Sequence, residues 1–236
     1  MQEQIVIVDG FAIRNTLDLE FDILMRRHTR IPYYLRTWYI PEGELWVDAP
    51  YEDELPFLLK VHEYFFGNED ELVSRSYQES RAQAKEVFCE KGPVPKLESR
   101  RETDDKGLSI VYVDGALVRR FLDPEFFVGG HEFVYDYVPK GEIWIDIKVL
   151  KEEQSFVLLH ERIEHEHMQA GENYDIAHDI AIAYEKQARR KAGIAHYPGH
   201  YPGDVNYPWR DLTNDAIIQR YVKRRLTGEE RTRLGL

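Results

Sequence analysis

The segment LLHERIEHEHM, residues 158–168, places three histidines and three glutamates within eight positions. Imidazole nitrogens and carboxylate oxygens are common ligands of zinc and related transition metals. His160 and Glu164 are four residues apart, so on a helix they project from one face and can bind one ion together. Glu161 points about 100° away from His160. The segment therefore indicates either a metal site or a charged helix surface.

A second polar pair lies in the segment that follows. His178 and Glu185 belong to a stripe at spacings of three and four that also contains two alanines. If the two helices pack as a hairpin, this pair meets His160 and Glu164. Imidazoles and carboxylates together can hold a divalent transition metal, with zinc the first candidate. The predicted metal ligands are thus His160, Glu164, His178 and Glu185.

These residues resemble the zincin metallopeptidases, whose active-site helix carries HExxH and whose third ligand lies on a following helix. The match is HERIE, residues 160–164, followed by His178. The resemblance implies that His160 is the first ligand, Glu161 the general base and His178 the later ligand. Glu164 replaces the second histidine of the motif, which adds negative charge and makes a metal-bound water less acidic.

Two metal-free interpretations of these residues stay open. The glutamates and His165 of the first segment are also what a solvated helix surface contains. His178 is also compatible with a core histidine that is hydrogen-bonded to Tyr174 or to a carboxylate, with Glu185 as the natural acceptor. In either case the segment would have a structural role and no ion.

The metal hypothesis itself leads to two functional classes. One is a metal-dependent hydrolase, with peptidases among the candidates, and the other is a noncatalytic, metal-stabilised interaction or structural protein. Catalysis needs a vacant coordination position, whereas a structural site is closed by four protein ligands. A di-iron oxidase is disfavoured, because Glu164 and His167 form one ExxH pair and such sites need a second.

The chain also resembles itself, which predicts a tandem duplication. IVIVDG at residues 5–10 returns as IVYVDG at 110–115, and LDLEF returns as LDPEF, both 105 positions later. YIPEGELWVD at residues 39–48 returns as YVPKGEIWID at 137–146, displaced by 98. The same displacement pairs His62-Glu63 with His160-Glu161. The other predicted ligands are replaced in the first copy by Phe66, Arg81 and Phe88.

Each copy contains β-branched runs and then a helical pattern, so the predicted fold is α+β, with antiparallel strands followed by a helical hairpin. The Asp-Gly pairs suggest a hairpin turn after the first strand. Gly171 suits a helix stop and Asn173 the cap of a helix from 174 to 191. The predicted domains are 1–90 (first copy), 91–106 (linker), 107–192 (second copy with the site) and 193–236 (Tyr/Pro-rich arm and final helix).

The wider pattern of a VDG strand, an EIWID strand and HExxE followed by an AH helix resembles small uncharacterised phage and prophage proteins. That resemblance implies no activity. Residues 193–209 contain three Tyr-Pro pairs and predict an extended arm that covers its own domain or joins a homo-oligomer. The predicted final helix is capped by Asp211 or Thr213 and carries Ile217, Ile218, Tyr221 and Leu226.

Composition sets the remaining expectations. The net charge of −12 argues against nucleic-acid binding, although residues 26–30 and 223–225 are locally basic. No apolar run approaches the length of a membrane span, and no basic segment precedes the first apolar stretch. The single cysteine, Cys89, cannot form an internal disulfide and is easiest to keep as a thiol in a reducing compartment. We therefore expect a cytoplasmic protein. The sequence identifies neither the substrate nor a protein partner.

Overall fold

A computed structural model describes residues 3–27, 37, 39–66, 77–104, 107–195 and 219–236. The chain forms two compact units: Met1–Pro56 together with Arg189–Leu236, and Phe57–Ala188. Each unit contains one four-stranded sheet, and helices make up the remaining regular structure, so the fold class is α+β as predicted. No helix in the described part of the chain is long and apolar enough to cross a membrane.

The described strands are β1 (Gln4–Val8), β2 (Leu24–Arg26), β3 (Glu44–Asp48), β4 (Glu98–Thr103), β5 (Ser109–Val113), β6 (Gly129–His131), β7 (Glu142–Asp146) and β8 (Val222–Arg225). The described α-helices are α1 (Gly10–Thr16), α2 (Leu55–Phe66), α3 (Tyr77–Phe88), α4 (Gly115–Phe121), α5 (Lys151–Gln169), α6 (Tyr174–Lys191) and α7 (Gly228–Leu234). Short 3-10 turns cover Ala49–Glu54 and Gln219–Tyr221.

Three strands of each sheet follow the same order: β2-β3-β1 in the first sheet and β6-β7-β5 in the second. The first sheet runs β2-β3-β1-β8, and the second runs β6-β7-β5-β4. The central pairs, β1 with β3 and β5 with β7, are parallel, and the outer strands are antiparallel to their neighbours. The predicted antiparallel arrangement is therefore wrong at the centre of both sheets, because a helix and a further strand connect each parallel pair.

The Asp-Gly pairs start helices and do not form the predicted hairpin turns. Asp9 accepts a hydrogen bond from the Ala12 amide at 3.0 Å, and Asp114 accepts one from the Leu117 amide at 3.2 Å. An aspartate side chain at this position satisfies a backbone N–H that the first helical turn leaves unpaired. The same residues that suit a turn thus cap α1 and α4.

The glycine of each pair makes room for a buried ion pair. A Cβ at Gly115 would lie 1.9 Å from Oδ2 of Asp146, which is the last residue of β7. Both terminal nitrogens of Arg119 donate to that oxygen at 3.0 Å, and both side chains are fully buried. The first unit repeats this arrangement with Gly10, Arg14 and Asp48.

Corresponding tryptophans occupy corresponding places in the two sheets. Val6 lies opposite Trp46 in the first sheet, and Val111 lies opposite Trp144 in the second. Each indole N–H donates to the glutamate two residues earlier at 2.8 Å. A duplication would produce this likeness, and the duplication itself stays a prediction.

The second helical hairpin follows its sequence signals closely. The helix α6 has the predicted bounds, 174 and 191, and the Asn173 side chain accepts a hydrogen bond from the Ile176 amide at 3.1 Å. Gly171 adopts a positive φ of 99° just after the end of α5, where a residue without a Cβ meets least strain. Contacts between α5 and α6 pair early residues of one helix with late residues of the other, so the helices are antiparallel.

The segment predicted as a linker, residues 91–106, contains the edge strand β4. This strand has the sequence ESRRET, and five of its six side chains are exposed. A strand that is charged on both faces lacks the alternation of apolar and polar residues from which strands are predicted. It forms because β5 offers an unpaired edge on which its backbone completes a ladder.

The predicted final helix is wrong over its described part. Tyr221 lies in a 3-10 turn, and the next four residues form β8, which pairs antiparallel with β1 and precedes Leu226. Pairing with the free edge of β1 outweighs the helical spacing of the apolar residues. The arm between 196 and 218 lies outside the described residues, together with the predicted caps Asp211 and Thr213 and with Ile217 and Ile218.

Candidate metal centre

The helix α5 carries an apolar residue and then carboxylates along its buried side. It packs against β6 and β7, and Val157 joins the apolar cluster of the second sheet. One turn later the same side presents Glu161, Glu164 and His165, which are only 7%, 3% and 5% exposed. The interpretation as a solvated surface is therefore wrong for these three residues. Glu166 does face solvent.

Three of the four predicted ligands converge. Oε2 of Glu164 lies 2.8 Å from Nδ1 of His178 and 3.6 Å from Nε2 of His160, and the two ring nitrogens are 3.1 Å apart. Ligands about 2.0–2.2 Å from a tetrahedral zinc are about 3.3–3.6 Å apart, from the geometry of a tetrahedron. One side of the donor triangle lies at the upper end of this range, and the other two are about 0.5 and 0.2 Å shorter than its lower end, so shifts of a few tenths of an ångström would make room for one ion.

The fourth predicted ligand, Glu185, lies on the other side of the His160 ring. Its Oε2 is 3.0 Å from Nδ1 of His160, whereas Nε2 of that ring faces Glu164 and His178. A carboxylate in this position fixes the tautomer and the orientation of a metal-binding histidine. The structure thus brings Glu185 to the site as a partner of His160, with three donors facing the centre of the triangle.

A second group of donors shares Glu164. Its Oε1 lies 3.1 Å from Nε2 of His131, while its Oε2 faces the first group. His131, Glu161 and Glu164 each offer a ligand atom within 4.8 Å of the other two, and all three residues are buried. Glu161, the predicted general base, therefore belongs to this second group.

His131 was not among the residues predicted for the site. It is the last residue of β6 and is fully buried, about 30 positions before the HERIE segment. The preceding Gly129 faces Glu161: a Cβ there would lie 2.9 Å from its Oε1. The available signal was the change from Leu-Met-Arg at 24–26 to Gly-Gly-His at 129–131 between the two sequence copies.

The electrostatics of the cluster are those of buried groups that interact strongly. Burial alone would lower the pKa of His160, but its contacts with Glu164 and Glu185 outweigh that effect and raise the pKa to about 10. Burial, followed by the Glu164 charge, raises the pKa of Glu161 to about 8. Burial would also raise the pKa of Glu164, but three neighbouring histidines hold it below its ordinary value.

The first group has a route to solvent beside His178. The His178 side chain is 28% exposed, and the ring of Tyr174 stacks on it with centroids 5.1 Å apart. Tyr174 is itself exposed. His178 is therefore only partly buried, and its 2.8 Å contact with the Glu164 carboxylate is one that the metal-free alternative also predicts.

A cavity of about 590 Å³ lies on another side of the cluster. Its lining includes Lys140, Arg162 and His165, and none of the donors described above lines it. Nε2 of His165 lies 3.1 Å from Glu132, and the His165 ring meets the His131 ring edge-on with centroids 5.2 Å apart. His165 thus separates the cavity from the second donor group.

The residues at the corresponding positions of the first sequence copy are of other types and make other contacts. Arg81, which takes the place of His178, donates to Asp123 at 2.7 Å. Arg26 takes the place of His131 at the end of β2, opposite Leu45. Among the described residues, the donor groups of this kind are those in the second unit alone.

Comparison with protein-family models, with curated proteins and with solved structures gave no match. The resemblances to zincins and to phage proteins therefore stay predictions. The case for a function depends on the donors themselves, and they form two groups of imidazoles and carboxylates that share the Glu164 side chain.

Proposed function

We propose that the protein is a metal-dependent hydrolase whose metal, zinc in the first instance, binds to His160, Glu164 and His178. The observation that carries the proposal is the donor triangle with sides of 2.8, 3.1 and 3.6 Å. Two imidazoles and one carboxylate form a donor set used by catalytic zinc sites. Glu164 stands where HExxH has its second histidine. This replacement is compatible with zinc chemistry, because Glu164 then supplies the carboxylate of a set of two histidines and one glutamate.

The number of donors favours catalysis over a purely structural site. Three protein ligands leave one position of a tetrahedral ion for water or substrate. Glu185 would make a fourth ligand, but its Oε2 is directed at Nδ1 of His160. Its role in the proposal is to hold His160 with Nε2 toward the ion.

When bound, the metal supplies a Lewis acid that makes water a nucleophile near neutral pH and polarises the bond to be hydrolysed. The protein orients the donors and limits access. Glu164 is enclosed, whereas His178 borders solvent. Among the described residues, His178 and Tyr174 are the exposed members of this group, so we expect substrates with an ester or peptide bond to approach from their side.

Metal content and activity test the proposal together. Protein purified without added metal is dialysed against Zn²⁺, freed of excess ion and analysed by mass spectrometry. We expect bound zinc in the wild type and its loss from the site in the double variant His160→Ala, His178→Ala. The matched control is His167→Ala on the same helix, because His167 contacts Glu172 at the surface. Equal zinc content in the double variant and the control would contradict the proposal.

Hydrolysis is then screened with peptide and ester substrates. Activity should follow zinc content and should disappear in the double variant but not in the His167→Ala control. Retained activity in the metal-free double variant would contradict a metal-dependent mechanism.

The second candidate function is a noncatalytic, metal-stabilised interaction or structural protein. It is favoured by the position of the described cavity, which the donors do not line. The two candidates differ in ligand exchange at the metal. In Co²⁺-substituted protein, an open site would change its visible spectrum on addition of azide or a hydroxamate, whereas a closed site would not.

A further inference from the structure

We propose that the site is dinuclear: a second metal ion binds to His131, Glu161 and Glu164, with the Glu164 carboxylate bridging the two ions. The inference depends on the proposed function, since it uses the same Glu164. It changes the role of Glu161 from the general base of the zincin-like hypothesis to a metal ligand.

The two oxygens of Glu164 face different donor sets. Oε2 contacts His178 at 2.8 Å, and Oε1 contacts His131 at 3.1 Å. A carboxylate that directs one oxygen to each of two histidine groups is arranged to ligate two ions at once. Ions in two-metal hydrolytic sites are about 3.5–4 Å apart, a separation that one bridging carboxylate spans.

Glu161 provides an independent indication of a ligand. It is only 7% exposed, and its carboxyl group lies close to a second carboxyl group, that of Glu164. Two buried carboxylates side by side are costly unless a cation compensates their charge. Its oxygen lies within 4.8 Å of the donor atoms of His131 and Glu164, so a cation between them would satisfy all three.

The backbone beneath Glu161 leaves space for the carboxyl group. Gly129 lies under it in β6, and any side chain there would begin 2.9 Å from Oε1. The corresponding residue in the first sequence copy is Leu24, and Arg26 there replaces His131. Glu63, which corresponds to Glu161, is exposed. The glutamate is thus buried in the copy that also has the glycine and the histidine.

The charges of the donors are sufficient to hold two divalent ions. The neutral imidazoles contribute none, and Glu161 with Glu164 contributes two negative charges, so two divalent ions leave the centre with a net charge of about +2. Such a centre attracts hydroxide and the anionic oxygens of a substrate, and a bridged pair can stabilise both the attacking and the leaving oxygen. A single ion in the first group would leave the Glu161 carboxyl group without a cation of its own.

Zinc stoichiometry is the direct test. Full-length metal-free protein is titrated with Zn²⁺ by calorimetry, and bound metal is measured by mass spectrometry after removal of free ion. We expect about two ions per chain in the wild type, about one in His131→Ala, and about one in Glu161→Gln at the same free Zn²⁺. The His167→Ala control should retain two. Circular dichroism and the midpoint of urea unfolding confirm that each variant is folded.

The outcomes separate this inference from the proposed function. One ion in the wild type that is unaffected by His131→Ala would overturn the second position and leave the hydrolase proposal intact. No site-bound zinc in the wild type would overturn both. Two ions in Glu161→Gln with loss of hydrolysis would restore Glu161 as a general base and overturn its role as a ligand.

A spectroscopic measurement keeps the test decisive if a variant does not fold. Wild-type protein loaded with Mn²⁺ should give the electron paramagnetic resonance signal of a spin-coupled pair. The isolated six-line signal of single Mn²⁺ ions, at saturating metal, would overturn the dinuclear site without any substitution.

Discussion

Replacing Gly129 by alanine should weaken the second metal position specifically. The new Cβ would lie 2.9 Å from Oε1 and 3.2 Å from Cδ of Glu161, where ordinary contacts begin near 3.4 Å. The carboxyl oxygen would have to retreat by about 0.5 Å, whereas metal–ligand distances tolerate about 0.2 Å. We expect the second Zn²⁺ to bind about 10–100-fold more weakly, the range for disturbed support of a ligand. The first Zn²⁺ should be nearly unaffected.

The fold should tolerate this substitution. Gly129 has no positive φ, so alanine can adopt its backbone conformation. Gly→Ala at a compatible position lowers the entropy of the unfolded chain and contributes about 0.4–1 kcal/mol to stability. This gain offsets part of the cost of moving the carboxyl group, so the free energy of unfolding should change by less than about 1 kcal/mol.

Its neighbour Gly130 supplies the matched control, because successive side chains in a strand point to opposite faces. A Cβ at Gly130 would lie 2.2 Å from Cε2 of the Tyr135 ring. That ring is buried against Phe126, and its hydroxyl donates to the Glu125 carbonyl at 3.1 Å. Gly130→Ala should therefore cost about 3 kcal/mol, the upper end for overpacking, without a clash with a donor.

The assay measures both variants in two ways, by calorimetric titration with Zn²⁺ and by urea unfolding of the metal-free protein. The expected pattern is a weaker second site with near-native stability for Gly129→Ala, and the reverse for Gly130→Ala. Unchanged affinity of the second site in Gly129→Ala would refute the reasoning. Equal weakening in both variants would show a general loosening of β6.

Three further predictions follow from the described contacts. Arg119→Met should cost about 3–5 kcal/mol in urea unfolding by leaving Asp146 buried without its cation, and adding Asp146→Leu should recover part of that loss. Glu185→Gln should weaken the first Zn²⁺ about 10–100-fold in calorimetry with the stoichiometry unchanged. Zn²⁺ at about 100 times the dissociation constant of the first position should raise the free energy of unfolding by about 2.7 kcal/mol through that position; EDTA should abolish the effect of Zn²⁺, and the double variant His160→Ala, His178→Ala should lose the share of the first position.

The parts of the structure that were predicted correctly depend on signals close together in sequence. The bounds of α6, its cap Asn173 and the helix stop at Gly171 are all encoded within a turn or two of the helix ends. The convergence of His160, Glu164 and His178 needed only one hairpin between adjacent helices. Local spacing and one packing step were sufficient for these residues.

The parts that were missed depend on partners far away in the chain. His131 enters the site because β6 pairs with β7 and α5 packs across both strands, which no local spacing indicates. The parallel central pairs depend on crossover connections. The strands β4 and β8 carry mainly charged residues and form by pairing with the edges of β5 and β1. Backbone hydrogen bonding, which is insensitive to side-chain pattern, determines such strands.

The pairing of β8 with β1 has a consequence for the order in which the protein folds during synthesis. The Gln4 side chain donates to the Leu226 carbonyl across 222 positions, and Val6 lies opposite Arg225. The second unit, Phe57–Ala188, is continuous and can fold once it has left the ribosome. The first sheet keeps one edge of β1 unpaired until Val222–Arg225 have emerged. The unit with the candidate metal centre should therefore acquire its structure before the unit that contains β1.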